Sequence, residues 1–356
     1  MPQLIDILSK AEEYSDLPVR HNEDELNKQL AYDLPIKNPK FNYGDSHTKT
    51  NLLIQAHFSR IPMPISDYET DLRLVLDNCI RILLFMADIA NQKKVLDTLL
   101  KIINLIQMIM QGVWHNDSSL MTLPNFGLAE VKKVINNGQI TDLCELCDMY
   151  HQNKNLRKFF KETCEIDSLT SEDIDKTIEI VGKLPILDID FKVFGLNQTL
   201  DRVYDRPLIE NGDAQLKLTV RKINDTKNNL TVYGRYPKIK SCRWFIVIGN
   251  VKTNTILGFE KISFKERVTK SIEFSLPEVI DNDSLMLYVL SDTYFGLDQQ
   301  YEIPLKDINK MIMEKYGLVE LPPADLPKKA EKKDDDSDKE TKKDDEEDDD
   351  DFLEPW

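Results

Sequence analysis

The chain has 356 residues, 41% of them hydrophobic, enough for two or three packed domains with sizeable cores. Lys and Arg number 46 against 62 Asp and Glu, a formal charge of −16; residues 327–356 carry half of it, leaving −8 on the rest. An acidic body of this kind has no global basic field, which argues against an autonomous, salt-driven nucleic-acid binder. Five cysteines are too few for a disulfide framework and point to a reducing compartment. The first residues lack the basic and apolar regions of a secretory signal, and the longest apolar run, Val95–Met110, is interrupted by Asp97, Lys101 and Asn104. A nuclear or cytoplasmic protein without membrane insertion is expected.

Residues 1–116 read as a helical bundle. Asn22 can cap a helix, with Glu25 at capping-box spacing. His47–Arg60 reads as a second helix, stopped by Pro62-Met63-Pro64. The longest helical signal starts at a cap on Asp67 or Thr70; Leu72, Val75, Leu76, Cys79, Ile80, Leu83 and Leu84 recur at three- and four-residue spacing, opposite a stripe of Arg73, Asp77 and Arg81. Leu96–Met110 is apolar nearly all round and belongs in the middle of the bundle. Residues 117–184 hold shorter helices in a helix-loop-helix unit: Leu123–Gly127 turns into a helix with Lys132 and Lys133, Asn136-Asn137-Gly138 ends it, and Thr141-Asp142-Leu143 opens the next.

After Pro185 the period changes to 2. Leu187–Val193, Leu216–Val220 and Ile272–Leu276 alternate cleanly, while Leu230–Tyr233, Trp244–Ile248, Ile256–Phe264 and Met286–Leu290 are less regular but rich in strand formers. About seven strands over residues 185–310 predict an antiparallel β-sandwich of immunoglobulin or fibronectin type III kind. Residues 327–356 form an acidic tail predicted to be disordered. The fold class is therefore multidomain, α then β.

No catalytic set can be assembled. Gly182-Lys183 lacks the rest of a phosphate loop, and Asp345-Glu346-Glu347-Asp348, which fits an acidic helicase box formally, lies in the low-complexity tail. The five histidines are scattered, and His21 and His47 read as loop-fixing hydrogen bonders. Cys144, Cys147 and His151 share a helix face, but a closed zinc site usually draws ligands from separate elements; they read as core residues, and neither metal nor cofactor is expected. Two places could touch a nucleic acid. Arg73 and Arg81 lie about 80° apart around their helix and can face one channel, or be solvated arginines. The turn Asn125-Phe126-Gly127, ahead of Lys132 and Lys133, could offer helix amides to a phosphate, or be a packing corner. In the tail, Asp344–Asp351 is eight consecutive acids followed by Phe352, Leu353 and Trp356, a composition suited to a basic protein partner or to solvation alone.

Several strings resemble one family. Leu17–Asp24 (LPVRHNED), His47–Arg60 (HTKTNLLIQAHFSR) and Asp117–Pro124 (DSSLMTLP) are similar to the Sec63 homology (Brl) unit that follows each helicase cassette of large Ski2-like RNA helicases. Trp244–Gly249 and Ser291–Tyr301 resemble later parts of that unit, so the likeness runs collinearly over about residues 3 to 308. Asp67–Asp71 and Asn104–Met108 look more like the cointegrator-complex branch, in its C-terminal unit, than the spliceosomal one. The resemblance implies a helical bundle, a helix-loop-helix domain and a fibronectin type III-like domain. It further implies an accessory role beside ATP-hydrolysing motor domains, with the long helix lining the channel of a single strand of RNA or DNA. Related archaeal helicases place an Arg and a Trp seven positions apart on that "ratchet" helix; these align with Leu74 and Arg81, so the Arg is displaced onto Arg73 and the Trp is replaced. The helix-loop-helix turn keeps Gly127 but has Asn125 where a first glycine is common. The motor domains and winged helix of the family are absent upstream, so the chain is either a fragment of a longer helicase or a standalone scaffold. A protein–protein adaptor, related to the endoplasmic-reticulum translocon component that shares the unit, is the alternative.

Overall fold

A computed structural model describes residues 1–196, 208, 212–224, 230, 233–276 and 285–316. Helices come first: α1 (Pro2–Ser9), α2 (Glu23–Asp33), α3 (Ser46–Ser59), α4 (Ser66–Gln92), α5 (Leu96–Gln111), α6 (Leu128–Gly138), α7 (Leu143–His151), α8 (Leu156–Lys158) and α9 (Ser171–Lys183). Strands follow: β1 (Leu187–Gly195), β2 (Asp213–Lys222), β3 (Trp244–Asn250), β4 (Thr255–Ile262), β5 (Arg267–Ser275), β6 (Leu285–Ser291) and β7 (Gln299–Ile303), then α10 (Leu305–Tyr316). Among the described residues no helix is long and apolar enough to cross a membrane.

Helix starts and stops differ from expectation where side chains have better partners. Asn22 precedes α2 in a left-handed conformation (φ 66°) and its side chain makes no cap bond. The carboxylate at the helix start is instead that of Glu23, which accepts from the Arg20 N–H at 2.8 Å. Neither Asp67 nor Thr70 caps α4; the cap position is Ile65, and Asp67 lies in the first turn, where a negative charge suits the helix dipole. Asp45 caps α3 and Asp142 caps α7, each accepting a backbone N–H three residues on. The left-handed residue after α6 is Gln139 (φ 55°). Gly138 is the last helical residue, and glycine is needed there for space, since a Cβ would lie 2.6 Å from the Phe159 ring.

All strand pairs are antiparallel, in one sheet ordered β1-β2-β5 and a second ordered β4-β3-β6-β7. Leu216, Val220, Ile272 and Phe274 of the first share a buried cluster with Trp244, Ile246, Ile248, Leu287 and Val289 of the second. Every residue of β3 is buried. Its odd partners explain why: Phe245 and Val247, with Ile256 and Leu290, belong to the core of α1–α5. A strand buried on both faces loses its alternation, hence the unbroken Trp244–Ile248 run. α5 is accordingly buried between helices on one side and a sheet on the other. The core of residues 113–184 is continuous with the inner faces of both sheets. Of the expected strand Leu230–Tyr233, Leu230 makes a single bridge to Ser241, and residues 231 and 232 lie outside the described residues, as does the tail.

The seam between α5 and the second sheet is made of directed bonds as well as apolar contact. Asn254, left-handed in the β3–β4 turn, accepts the Leu96 N–H on its carbonyl (3.1 Å) and the Asp97 N–H on its side chain (2.7 Å), capping α5 from a distant turn. Gln107 donates to the Ser291 carbonyl at 2.8 Å and Gln111 to that of Thr293 at 2.8 Å. Gly249 admits Leu96, whose methyl would lie 2.6 Å from any added Cβ.

His57 of α3 spans the same bundle, its Nε2 donating to the Ile109 carbonyl at 2.8 Å. Burial, reinforced by nearby Arg235 and Arg60, brings its pKa down to about 4. The unfolded chain takes up this proton near pH 6.5 and the folded chain does not, so stability rises with pH across this window and is lost as pH falls from about 6.5 to 4. About 3 kcal/mol is expected from this group, at 1.36 kcal/mol per unit. Urea titrations at pH 7 and pH 4.5 measure it; His57→Gln, which keeps a donor for Ile109, should flatten the difference.

Candidate nucleic-acid interface

α4 buries Tyr68, Val75, Leu76, Cys79, Ile80, Ile82 and Leu83. Its opposite face carries Leu74, Arg81, Phe85 and Ile89, with Arg81 65% exposed at its side chain and Phe85 66% exposed. At about 100° per residue, Arg73, Arg81, Leu74, Phe85 and Ile89 fall within an arc of about 160°. The two predicted arginines thus share an exposed face with three apolar side chains. Arg81 is lightly held, 3.1 Å from Glu13 and 3.5 Å from the Asn78 side-chain oxygen. Arg73 is exposed and forms no ion pair among the described residues. Asp77 and Asp88 lie on the same face, between Arg73 and Arg81 around the axis, but each is engaged by a lysine, Lys238 (2.7 Å) and Lys261 (2.6 Å), which tie α4 to the chain beyond α9. Sequence reasoning missed Phe85, although its eleven-residue spacing from Leu74, three full turns, was there to read.

The N-terminal part of α4 is fixed by a buried ionic cluster. Lys49 of α3 has no exposed surface; its ammonium lies 2.6 Å from Glu23, 2.6 Å from Asp71 and 2.8 Å from the Pro18 carbonyl. The Tyr68 ring sits 4.5 Å from the same nitrogen. Arg20 closes the cluster from the surface, 2.7 Å from Asp71, 2.9 Å from Glu23 and 3.4 Å from Asp67. Burial by itself would raise both carboxyls, but hydrogen bonds from Lys49 and Arg20 outweigh it, and Glu23 and Asp71 are held below the usual carboxylate range. The strings around Arg20, Lys49 and Asp71 therefore meet in one place, an assembly that no local sequence pattern announced.

The turn before α6 is occupied by its own side chains. The Gly127 N–H donates to Glu130 at 2.9 Å, and Glu130 also accepts from Ser168 at 2.7 Å. The Ser168 bond is the main reason that this carboxyl is held below its ordinary range. A carboxylate thus stands where a phosphate would meet the helix amides. Asn125 is left-handed (φ 61°) and donates to Asp173 at 2.8 Å. Lys133 donates to the Glu165 carbonyl at 2.6 Å, whereas Lys132 points to solvent. Arg60, left-handed at the end of α3 (φ 56°), joins this turn to the bundle: it donates to the carbonyls of Gly112 (2.9 Å), Phe126 (3.0 Å) and Met121.

The metal candidates are not gathered into a ligand set. Of the three expected core residues only Cys147 is buried; Cys144 is exposed and donates to the Gly296 carbonyl at 3.1 Å, and His151 is exposed, because the outer turns of α7 face solvent. Partial desolvation at the exposed Cys144, with acidic neighbours, pushes its thiol up to about 11, and burial takes Cys147 up to about 12, so both are thiols at neutral pH. His47, expected to fix a loop, instead joins two helix ends: from the first turn of α3 it bonds the carbonyl of Ser9, the last residue of α1, at 3.0 Å.

Comparison with known proteins gives a match to the Sec63 Brl domain over residues 1–304. Human activating signal cointegrator 1 complex subunit 3 is 34% identical over 335 residues, covering 85% of this chain and 15% of that protein. An activating signal cointegrator 1 complex subunit 3-like protein of Dictyostelium discoideum is 30% identical over 309 residues, covering 84% of this chain and 13% of its own. The mouse U5 small nuclear ribonucleoprotein 200 kDa helicase is 28% identical over 301 residues, again covering 84% and 13%. The chain thus spans only 13–15% of the length of these relatives. A solved structure of Pseudomonas fluorescens alkylpurine DNA glycosylase AlkC, bound to DNA containing an abasic site analog, superposes with a TM-score of 0.19 at 11% identity, over 85% of this chain and 96% of that one, which is no match of fold.

Proposed function

The chain belongs to the Sec63 Brl domain family, and on that premise we propose that it is the accessory, non-motor unit of an ATP-dependent nucleic-acid helicase. In this reading it packs on motor domains and guides a single strand of RNA or DNA along α4, while the motor hydrolyses ATP. Residues 1–116, 117–184 and 185–310 act as bundle, helix-loop-helix and fibronectin type III-like domains; the three-plus-four sheet arrangement supports the last of these. The unit works in the nucleus or cytoplasm, and the acidic tail serves contacts with a basic protein.

The exposed face of α4 carries the proposal. Two guanidinium groups can reach phosphates, and Phe85 offers a ring for stacking that replacement of the family's Trp at Arg81 otherwise removes. The clamp of Lys49 beneath the helix supplies the rigidity that strand positioning requires. Gly127 and Lys133 contribute less, since Glu130 and Glu165 already engage them.

Titration of the chain with labelled single-stranded RNA tests this. Micromolar binding is expected at low salt. Arg73→Ala with Arg81→Ala should weaken it at least about tenfold, since charge-assisted bonds contribute about 1.5–3 kcal/mol each. Phe85→Ala should cost about 1–3 kcal/mol of stacking, and Lys132→Ala little. Binding weaker than about 100 μM and indifferent to these changes would favour the adaptor reading, with Leu74, Phe85 and Ile89 as a protein-facing patch.

A further inference from the structure

A cleft of about 390 Å³ opens where the end of β2 meets the β4–β5 turn, far along the chain from α4. Four cations line it: Arg221, Lys222, Lys265 and Arg267. The backbone builds it without choice, because the Lys222 N–H donates to the Glu266 carbonyl at 2.8 Å and Arg221 is the direct cross-strand partner of Arg267. Like charges placed opposite one another on antiparallel strands repel. Asp188, 2.7 Å from Arg221, answers one of the pair. Lys265 and Arg267 are exposed and have no ion pair among the described residues. Lys222 is half-buried, its ammonium 5.6 Å from the Phe264 ring. One apolar side chain, Ile223, stands 61% exposed at the rim. Glu266 also lines the cleft and Asp188 holds Arg221, so four cations stand against two carboxylates, and in a body of net negative charge this local excess of positive charge suits an anion.

We propose that the occupant is the chain's own acidic tail, Asp344–Asp351, with Phe352 or Leu353 set against Ile223. Charge and composition match: the tail has eight consecutive acids followed at once by two large apolar residues. Tethering does the rest. Asp344 follows Tyr316 by 28 residues in the same chain, so the acids are never free of the domain, and tethering over such a length gives effective concentrations in the mM range. An untethered polyanion of equal intrinsic affinity has to exceed that concentration to compete. The tail is then a built-in competitor, and a basic protein reaches it only by displacing it from the cleft. This inference stands apart from the strand-guiding role of α4, which uses different residues.

The test uses the full chain. Zero-length carbodiimide coupling joins carboxylates to amines in contact, and peptide mapping of the monomer identifies the pairs. Lys265 and Lys222 should couple to carboxylates within Asp344–Asp351. That coupling should be lost at 0.5 M salt, where the Debye length is about 4 Å, and lost in Arg267→Glu, which leaves the lysine reporters and the Arg221–Asp188 pair in place. An unchanged thermal transition shows that the variant is folded. Tail coupling spread over lysines such as Lys28 and Lys132, coupling found only in a dimer, or coupling indifferent to Arg267→Glu would overturn the proposal. So would single-stranded RNA binding that Arg267→Glu abolishes while replacement of Asp344–Asp351 by Asn and Ser leaves it unchanged, since the cleft would then be a nucleic-acid site that the tail does not contest.

Discussion

Lys49→Met is expected to cost about 3–5 kcal/mol of stability, the range for breaking a buried ion cluster by removing one partner. The ammonium has no exposed surface, and Glu23 and Asp71, each 2.6 Å away, are themselves buried. Without Lys49 only Arg20 remains, 39% exposed and already shared with Asp67. The loss should shift the urea midpoint with little change in slope. Adding Glu23→Gln and Asp71→Asn to Lys49→Met should recover part of it, a coupling that a double-mutant cycle reads directly. The pH dependence gives a second check. In the wild type both carboxyls have lowered folded pKa values, so their contribution is present above the ordinary carboxylate range near pH 4 and is lost as pH falls through the folded values. With the ammonium gone, burial should raise them instead, and the difference between variant and wild type should narrow as pH falls from 6 to 4.

Arg60→Ala should be nearly as damaging, about 3–5 kcal/mol, for a different reason. One guanidinium donates to three carbonyls, those of Gly112, Met121 and Phe126, and hydrogen bonds to charged groups contribute about 1.5–3 kcal/mol each. Burial and nearby Arg235 lower its pKa to about 10, which still leaves it charged at neutral pH. Arg60→Lys should restore little, because a point ammonium cannot span three acceptors arranged for a planar fork. The damage should also be local in kind. Arg60 fastens the end of α3 to the end of α5 and to the turn before α6, so amide hydrogen exchange should speed up across residues 112–127 before the rest of the bundle loosens.

The elements that sequence periodicity captured are those whose burial is one-sided. β1, β2 and β5 each present a face to solvent, and their alternation survives in the amino acids. β3 does not, so its apolar run identified a strand without revealing that two cores meet on it. α5 was legible as a helix buried all round, but half of its cover is a sheet formed more than a hundred residues later, and nothing local records that. The polar strand β7 and the amphipathic α10 carried too little contrast with their surroundings to be read. At the candidate interface, Arg73 and Arg81 were visible from spacing because a charge on an apolar helix stands out. Phe85 was not, since an aromatic residue in the same helix reads as core until its exposure is known. The Lys49 cluster was invisible because its bonds join positions 22 to 51 residues apart.

The sheet that closes over α5 also sets a timetable for biosynthesis. At translation rates on the order of 5–20 residues per second, β3 leaves the ribosome roughly 7 to 27 s after α5. Throughout that interval one flank of α5, including Leu96, Ile103 and Met110, has no wall to rest against. A nascent chain in this condition is a substrate for chaperones, and a ribosome halted between α5 and β3 would leave the cell with a sticky half-bundle rather than a dormant domain.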